Sequence, residues 1–200
     1  MRVFAQADGL TRLELDRAFR LAPRLEVTWR MFGESGSPQV VKNFRVAGQN
    51  VLIRPIDTVD WDSPVTITVT QRPRFLGRVV VSKIVASILS PRPFDGGLLW
   101  GECVNPTSKI SRLTLRWRWN TPPALGDEHK VMLLSLRDAS GVVLAEAPVA
   151  SGQDSATLRL RVSRPAATSQ TIYVQFLERS STGQDSSLAE AELEIPGRIS

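Results

Sequence analysis

Eight consecutive residues constrain the fold more than any other feature. From Arg112 to Trp119, Leu113, Leu115, Trp117 and Trp119 alternate with Arg112, Thr114, Arg116 and Arg118. A period of two puts the first set on one face of an extended strand and the second set on the other. A helix would scatter both sets around its circumference. The same wording occurs earlier, in Arg24–Phe32, where Leu25, Val27, Trp29 and Met31 alternate with Arg24, Glu26, Thr28 and Arg30. One half-buried strand pattern is therefore used twice, 88 residues apart.

The rest of the chain reads in the same idiom. Val65–Thr70 alternates valine or isoleucine with threonine, all β-branched, which favours a strand. Lys130–Arg137 and Val142–Glu146 form a hairpin across Asp138–Gly141. Gln39–Val46 and Val51–Ile56 are strands on either side of a turn at Gly48–Asn50, and Arg78–Leu89 is a long strand or a bent pair. Ser90–Gly97, with Pro91 and Pro93, reads as a break, and Ser163–Ser169 as a loop. Thr171–Glu178 and Leu188–Ile195 close the chain as strands around a Ser/Gly tip. No convincing amphipathic helix interrupts this order.

The order also repeats. Arg24 and Arg112, Leu98 and Leu188, Pro106 and Pro196, and Arg72-Pro73 and Arg164-Pro165 recur at offsets of 88 to 92 residues. The expectation is an all-β chain made of two tandem antiparallel β-sandwich domains, residues 1–95 and 96–200, related by duplication. In size and rhythm both halves resemble immunoglobulin-like and fibronectin-III-like modules. The cysteine pair of antibody domains is absent, since Cys103 is the only cysteine. The only tyrosine, Tyr173, stands inside the penultimate strand rather than at a corner.

Candidate chemistry is sparse. His129 is the single histidine and lies in an acidic loop beside Asp127 and Glu128, with no nucleophile pattern to serve. One cysteine and one histidine cannot make a multi-Cys/His zinc site. Cys103 shares the apolar phase of its strand with Leu99 and reads as a small buried hydrophobe. Asp57, Asp60 and Asp62 offer hard oxygen ligands of the kind calcium takes, but their spacing fits no EF-hand, so solvated turn aspartates are expected. No glycine-rich phosphate loop is present. These readings lead to a protein that is not an enzyme and has no catalytic residue, metal or cofactor.

Surface features point to binding. Arg112, Arg116 and Arg118 share one face of one strand, and Arg159 and Arg161 one face of another. If the two strands pair, they make an arginine-rich surface. Such a surface either keeps its stems packed and its heads wet, or docks on an acidic protein surface or polyanion. The net charge of +5 permits the second use. Nucleic acid is disfavoured, because no exposed aromatics interleave with the basic residues. Trp29, Trp117 and Trp119 belong to apolar faces. Trp100 is out of phase with Leu99 and Cys103 and faces outward or into the joint between halves. Trp61, in a polar loop, is placed to stack on a sugar or wedge into a partner.

No apolar run of signal-peptide length opens the sequence, and none approaches the about 20 residues of a membrane helix. The expectation is a chain made in the cytoplasm without a signal peptide and not bound to membrane. Disulfide-free duplicated sandwiches of modest length resemble accessory virion proteins of tailed bacteriophages. That resemblance implies a structural protein of the head decoration, collar, tail or fibre, with other protein subunits as partners. The alternative is a carbohydrate-binding or adhesive sandwich that uses Trp61 to hold a glycan.

Overall fold

Alternation becomes sheet wherever a strand finds partners. The structure is a computed structural model. It describes residues 1–16, 25–31, 37–54, 64–71, 79–104, 109–123 and 130–199, with backbone alone at 79, 81, 162–169 and 196–199. Every regular element among them is a β-strand, and every pairing is antiparallel. The strands are β1 (Arg2–Ala5), β2 (Thr11–Glu14), β3 (Leu25–Met31), β4 (Gln39–Val40), β5 (Phe44–Ala47), β6 (Asn50–Ile53) and β7 (Val65–Gln71). They continue with β8 (Val79–Phe94), β9 (Gly97–Val104), β10 (Ile110–Trp119), β11 (Val131–Asp138), β12 (Val143–Val149), β13 (Ser155–Arg179) and β14 (Asp185–Ile199).

The layers follow from two long strands that each serve two partners. β8 pairs with β7 through its first part and with β9 through its second. β13 pairs with β10 through Ser155–Arg161, then with β11 and β14 through its later residues. A central sheet thus runs β4-β3-β7-β8-β9-β10-β13, and the far end of β13 carries β11, β12 and β14. A separate four-stranded sheet has the order β1-β2-β6-β5.

These outer sheets cover opposite faces of the central one. Trp29, Val27, Val65, Ile67 and Ile88 bury against Val3, Leu13, Val51 and Ile53 of the four-stranded sheet. Leu99, Leu113, Leu115, Trp117 and Leu158 bury on the other face, against Leu134, Leu136, Val174, Phe176 and Leu193. Registry makes the exchange explicit: Ile88 lies opposite Glu102 and shares its face, whereas Ser87 lies opposite Cys103, which belongs to the second core. The second core gathers aromatic rings. Trp117 meets Phe176 edge-on at 5.2 Å between centroids, and Trp119 meets it at 4.9 Å. Such pairs add about 0.5–1.5 kcal/mol each beyond the area they bury.

Several expectations change. The break placed at Ser90–Gly97 is strand as far as Phe94. A register shift between Leu89 and Arg92 accommodates Pro91, and the turn is confined to Asp95-Gly96, with Gly96 at φ +87°. Gly97 then pairs so closely that an added Cβ would lie 2.5 Å from the Arg118 carbonyl oxygen. Ser163–Ser169, expected as a loop, is strand backbone within β13. Gln39–Val46, expected as one strand, divides into β4 on the central sheet and β5 on the four-stranded one. β1 was not expected at all. The hairpin at Asp138–Gly141 is present, closed by the Asp138 carboxylate accepting from the Ser140 and Val142 amides at 2.9 Å each. The expected division at 95/96 falls in the β8–β9 turn. Leu89 and Phe94 before it join the second core, and Trp100 after it packs on the first.

Candidate functional site

The strand pair expected to gather the arginines forms. β10 and β13 pair with Arg112 opposite Arg159, Thr114 opposite Thr157, Arg116 opposite Ser155 and Ile110 opposite Arg161. Leu113 and Leu115 on the reverse of β10 pair with Leu158 and Ala156 in the second core. Burial of that face turns Arg112, Arg116, Arg159 and Arg161 the other way, onto the face that the four-stranded sheet only partly covers.

The result is a step. Its floor is the outward face of β9, β10 and the start of β13, and its wall is β1. Between them lies a groove of about 970 Å³, lined among others by Arg2, Phe4, Glu102, Arg112, Arg116 and Arg159. Thr114 and Thr157 sit side by side on the floor with their hydroxyls 3.2 Å apart.

The charges in the groove fall into two groups. Glu102 is the sole charged residue of the Leu98–Val104 segment and is buried, with 2% of its surface accessible. Its carboxylate accepts two bonds from the Arg116 guanidinium, one of them at 2.9 Å from Nη2, and a third at 2.9 Å from the Ala5 amide. Burial pushes its pKa above the ordinary glutamate value, and the bonds from Arg116 and Ala5 pull against that without cancelling it. Phe4 lies between cations, with Arg12 at 4.4 Å and Arg116 at 5.6 Å from its ring centroid. This cluster pins β1 to the central sheet.

Arg112 and Arg159 belong to the second group. Both are exposed, they stand directly across from each other, and neither makes an ion pair with any described residue. Opposed residues in an antiparallel pair have Cβ atoms about 4.5–5.5 Å apart, where like charges destabilise the sheet. A bound anion would reverse that sign. The arrangement can hold a carboxylate or similar oxyanion between two guanidinium forks, with the Thr114 and Thr157 hydroxyls as further donors.

The remaining candidates lie elsewhere. Arg161 is exposed beyond the groove, opposite Ile110. Arg118 is exposed in a separate cleft of about 550 Å³ with Trp100, Trp119, Pro122, Pro123 and Met132. Trp61, His129 and the aspartates Asp57, Asp60 and Asp62 fall outside the described residues. Among the described residues, no group of three or more His, Cys, Asp or Glu is placed to hold a metal ion. No helix among them is long and apolar enough to cross a membrane. Cys103 is buried, and burial pushes its thiol up to about 11, so it stays protonated and unreactive at neutral pH.

Arg2, Phe4 and Glu102 are the site residues that pattern reading missed. Glu102 carried a signal: it is out of phase with Leu99 and Cys103 in an otherwise uncharged strand. Arg2 and Phe4 carried none, because nothing local shows that β1 will stand over β9. Comparison with protein-family models and with curated proteins finds no match to either.

Proposed function

We propose that the chain is a non-enzymatic structural and binding protein that docks into a larger assembly through the arginine face of β10 and β13. The partner is another protein subunit presenting an acidic surface. The observation that carries this reading is the Arg112–Arg159 rung, two guanidinium groups without an ion-pair partner among the described residues, held opposite each other on the floor of a groove. Folding alone gains nothing from such a rung, while an acidic partner would gain two charge-assisted contacts from it. An accessory component of a tailed-bacteriophage virion, built from tandem immunoglobulin-like sandwiches, is the setting we infer from the duplicated strand order. The glycan-binding alternative rests on Trp61, outside the described residues, and no described feature favours it.

Poly-glutamate retention on the immobilised chain tests the docking surface. Binding should be strong at low ionic strength and collapse near about 0.5 M salt, where the Debye length is only a few ångströms. Arg112→Glu with Arg159→Glu should weaken it at least about tenfold. Salt-independent retention, or retention unchanged by the charge reversal, would remove the proposal. Preferential retention of duplex DNA over poly-glutamate would replace the acidic protein with a nucleic acid.

A further inference from the structure

We infer that the acidic partner is a second copy of this chain, whose β14 presents a glutamate row to the arginine face of its neighbour. The inference rests on reading that face as a docking surface. Along β14, Ala189, Ala191, Leu193 and Ile195 are buried in the second core, which turns Glu190, Glu192 and Glu194 outward, all exposed. Their cross-strand neighbours on β13 are Gln175, Tyr173 and Thr171, so the adjacent strand supplies no cation. Glu190 accepts a bond from Gln175 at 2.7 Å. Glu192 and Glu194 make no ion pair with any described residue. Arg179 is taken up at the other end of the strand by Asp185 and Glu146, and Arg137 donates to the Gly141 carbonyl.

One copy cannot satisfy both rows by itself. β14 packs against one face of the central sheet, and Arg112 and Arg159 project from the opposite face. Charges on one face of a strand recur every second residue, about 7 Å apart, in the Glu190–Glu192–Glu194 row as in the Arg159–Arg161 pair. Sheets stacked face to face lie about 10 Å apart, which long glutamate and arginine side chains span together. Among the described residues no outer sheet lies over the arginine face, so a neighbour's β14 sheet would complete the layer beside β1. Because the two surfaces differ, the contact is heterologous and propagates head to tail into a ring or filament.

Sedimentation velocity on the full chain tests this. Association should grow with protein concentration at about 20 mM salt and vanish at about 500 mM, as screening shortens from about 20 Å to a few ångströms. Arg112→Glu/Arg159→Glu destroys one surface, and Glu192→Arg/Glu194→Arg destroys the other. Each variant alone should sediment as a monomer. Their equimolar mixture should associate again, since each acidic surface of the first variant meets a basic surface of the second. Association of the mixture also shows that both variants are folded. A chain carrying all four changes should associate again. The neutral pairs Arg112→Gln/Arg159→Gln and Glu192→Gln/Glu194→Gln should weaken association, each by at least about tenfold. A wild-type chain that stays monomeric at low salt overturns the inference, as does a variant that still self-associates. If that monomer still retains poly-glutamate through Arg112 and Arg159, docking stands and self-association alone falls. If it retains none, both fall.

Discussion

The two tryptophan strands occupy one sheet with their faces exchanged. On β3, Trp29 turns toward the four-stranded sheet, and Glu26, Thr28 and Arg30 turn away, opposite Thr70, Thr68 and Thr66 of β7. On β10, Trp117 turns the other way, and Arg112, Thr114 and Arg116 look out opposite Arg159, Thr157 and Ser155. The first outward face is closed at its threonines. Thr70 and Thr28 donate their hydroxyls to the carbonyls of Glu26 and Thr68, at 3.4 and 3.5 Å, and Thr66 and Thr70 are buried. The second face is open, since Arg112 and Arg159 are exposed, alike in charge and without an ion-pair partner among the described residues. Two strands of similar wording therefore differ in use. On one outward face the threonine hydroxyls bond within the sheet; the other carries two like charges directly opposite each other.

The buried sides of the two strands give the largest expected effects. Trp117→Ala, at a residue 1% exposed and ringed by Phe176, should cost about 3–5 kcal/mol in urea unfolding. Trp29→Ala should cost a comparable amount through the first core. If one of them is nearly silent, the two strands are not parallel uses of one pattern. Gly101→Ala comes next. An added Cβ would sit 2.2 Å from the Thr114 carbonyl oxygen, so the strand bearing Arg112 and Arg116 must shift, at about 1–3 kcal/mol.

A smaller effect separates the pinned charges from the free ones. Glu102 has its folded-state pKa raised by burial. Between the ordinary glutamate value and that raised one, the folded chain keeps a proton that the unfolded chain has released. Its contribution to stability is thus complete below the unfolded pKa and is lost as pH rises through the folded pKa. Glu102→Gln keeps an acceptor for the Ala5 amide and should flatten this part of a plot of melting temperature against pH. An unchanged slope would mean that Glu102 does not titrate as its burial requires. Asp138 and Asp185 shift the other way: hydrogen bonds from Ser140 and Arg179 lower them, so their contributions fade as pH falls through their depressed values.

Much of this was legible in the residues, and the part that was not has a common cause. Period two in Leu113–Trp119 shows which side chains share a face, and the reverse phase of Arg159 and Arg161 shows the same for β13. Whether those faces adjoin depends on registry between residues 39 to 51 positions apart, which no local pattern encodes. The groove wall is more remote still, since Ala5 and Glu102 meet across 97 residues. Pro91 and Pro93 read as a break because proline cannot donate to a ladder; the register shift in β8 removes that demand at Pro91, and Pro93 sits in the ladder opposite Leu98. Trp100 could be assigned a phase from Leu99 and Cys103, but only pairing reveals that this phase belongs to the other core.

The most direct test of the arginine rung makes it resemble the closed face. Arg112→Thr/Arg159→Thr, measured by thermal unfolding and by poly-glutamate retention on the same samples, removes the like-charge pair while keeping β-branched residues in the strands. The account predicts a chain more stable by about 0.2–1 kcal/mol whose retention falls at least about tenfold. A chain that is less stable, with retention unchanged, would show that Arg112 and Arg159 serve the fold rather than a partner.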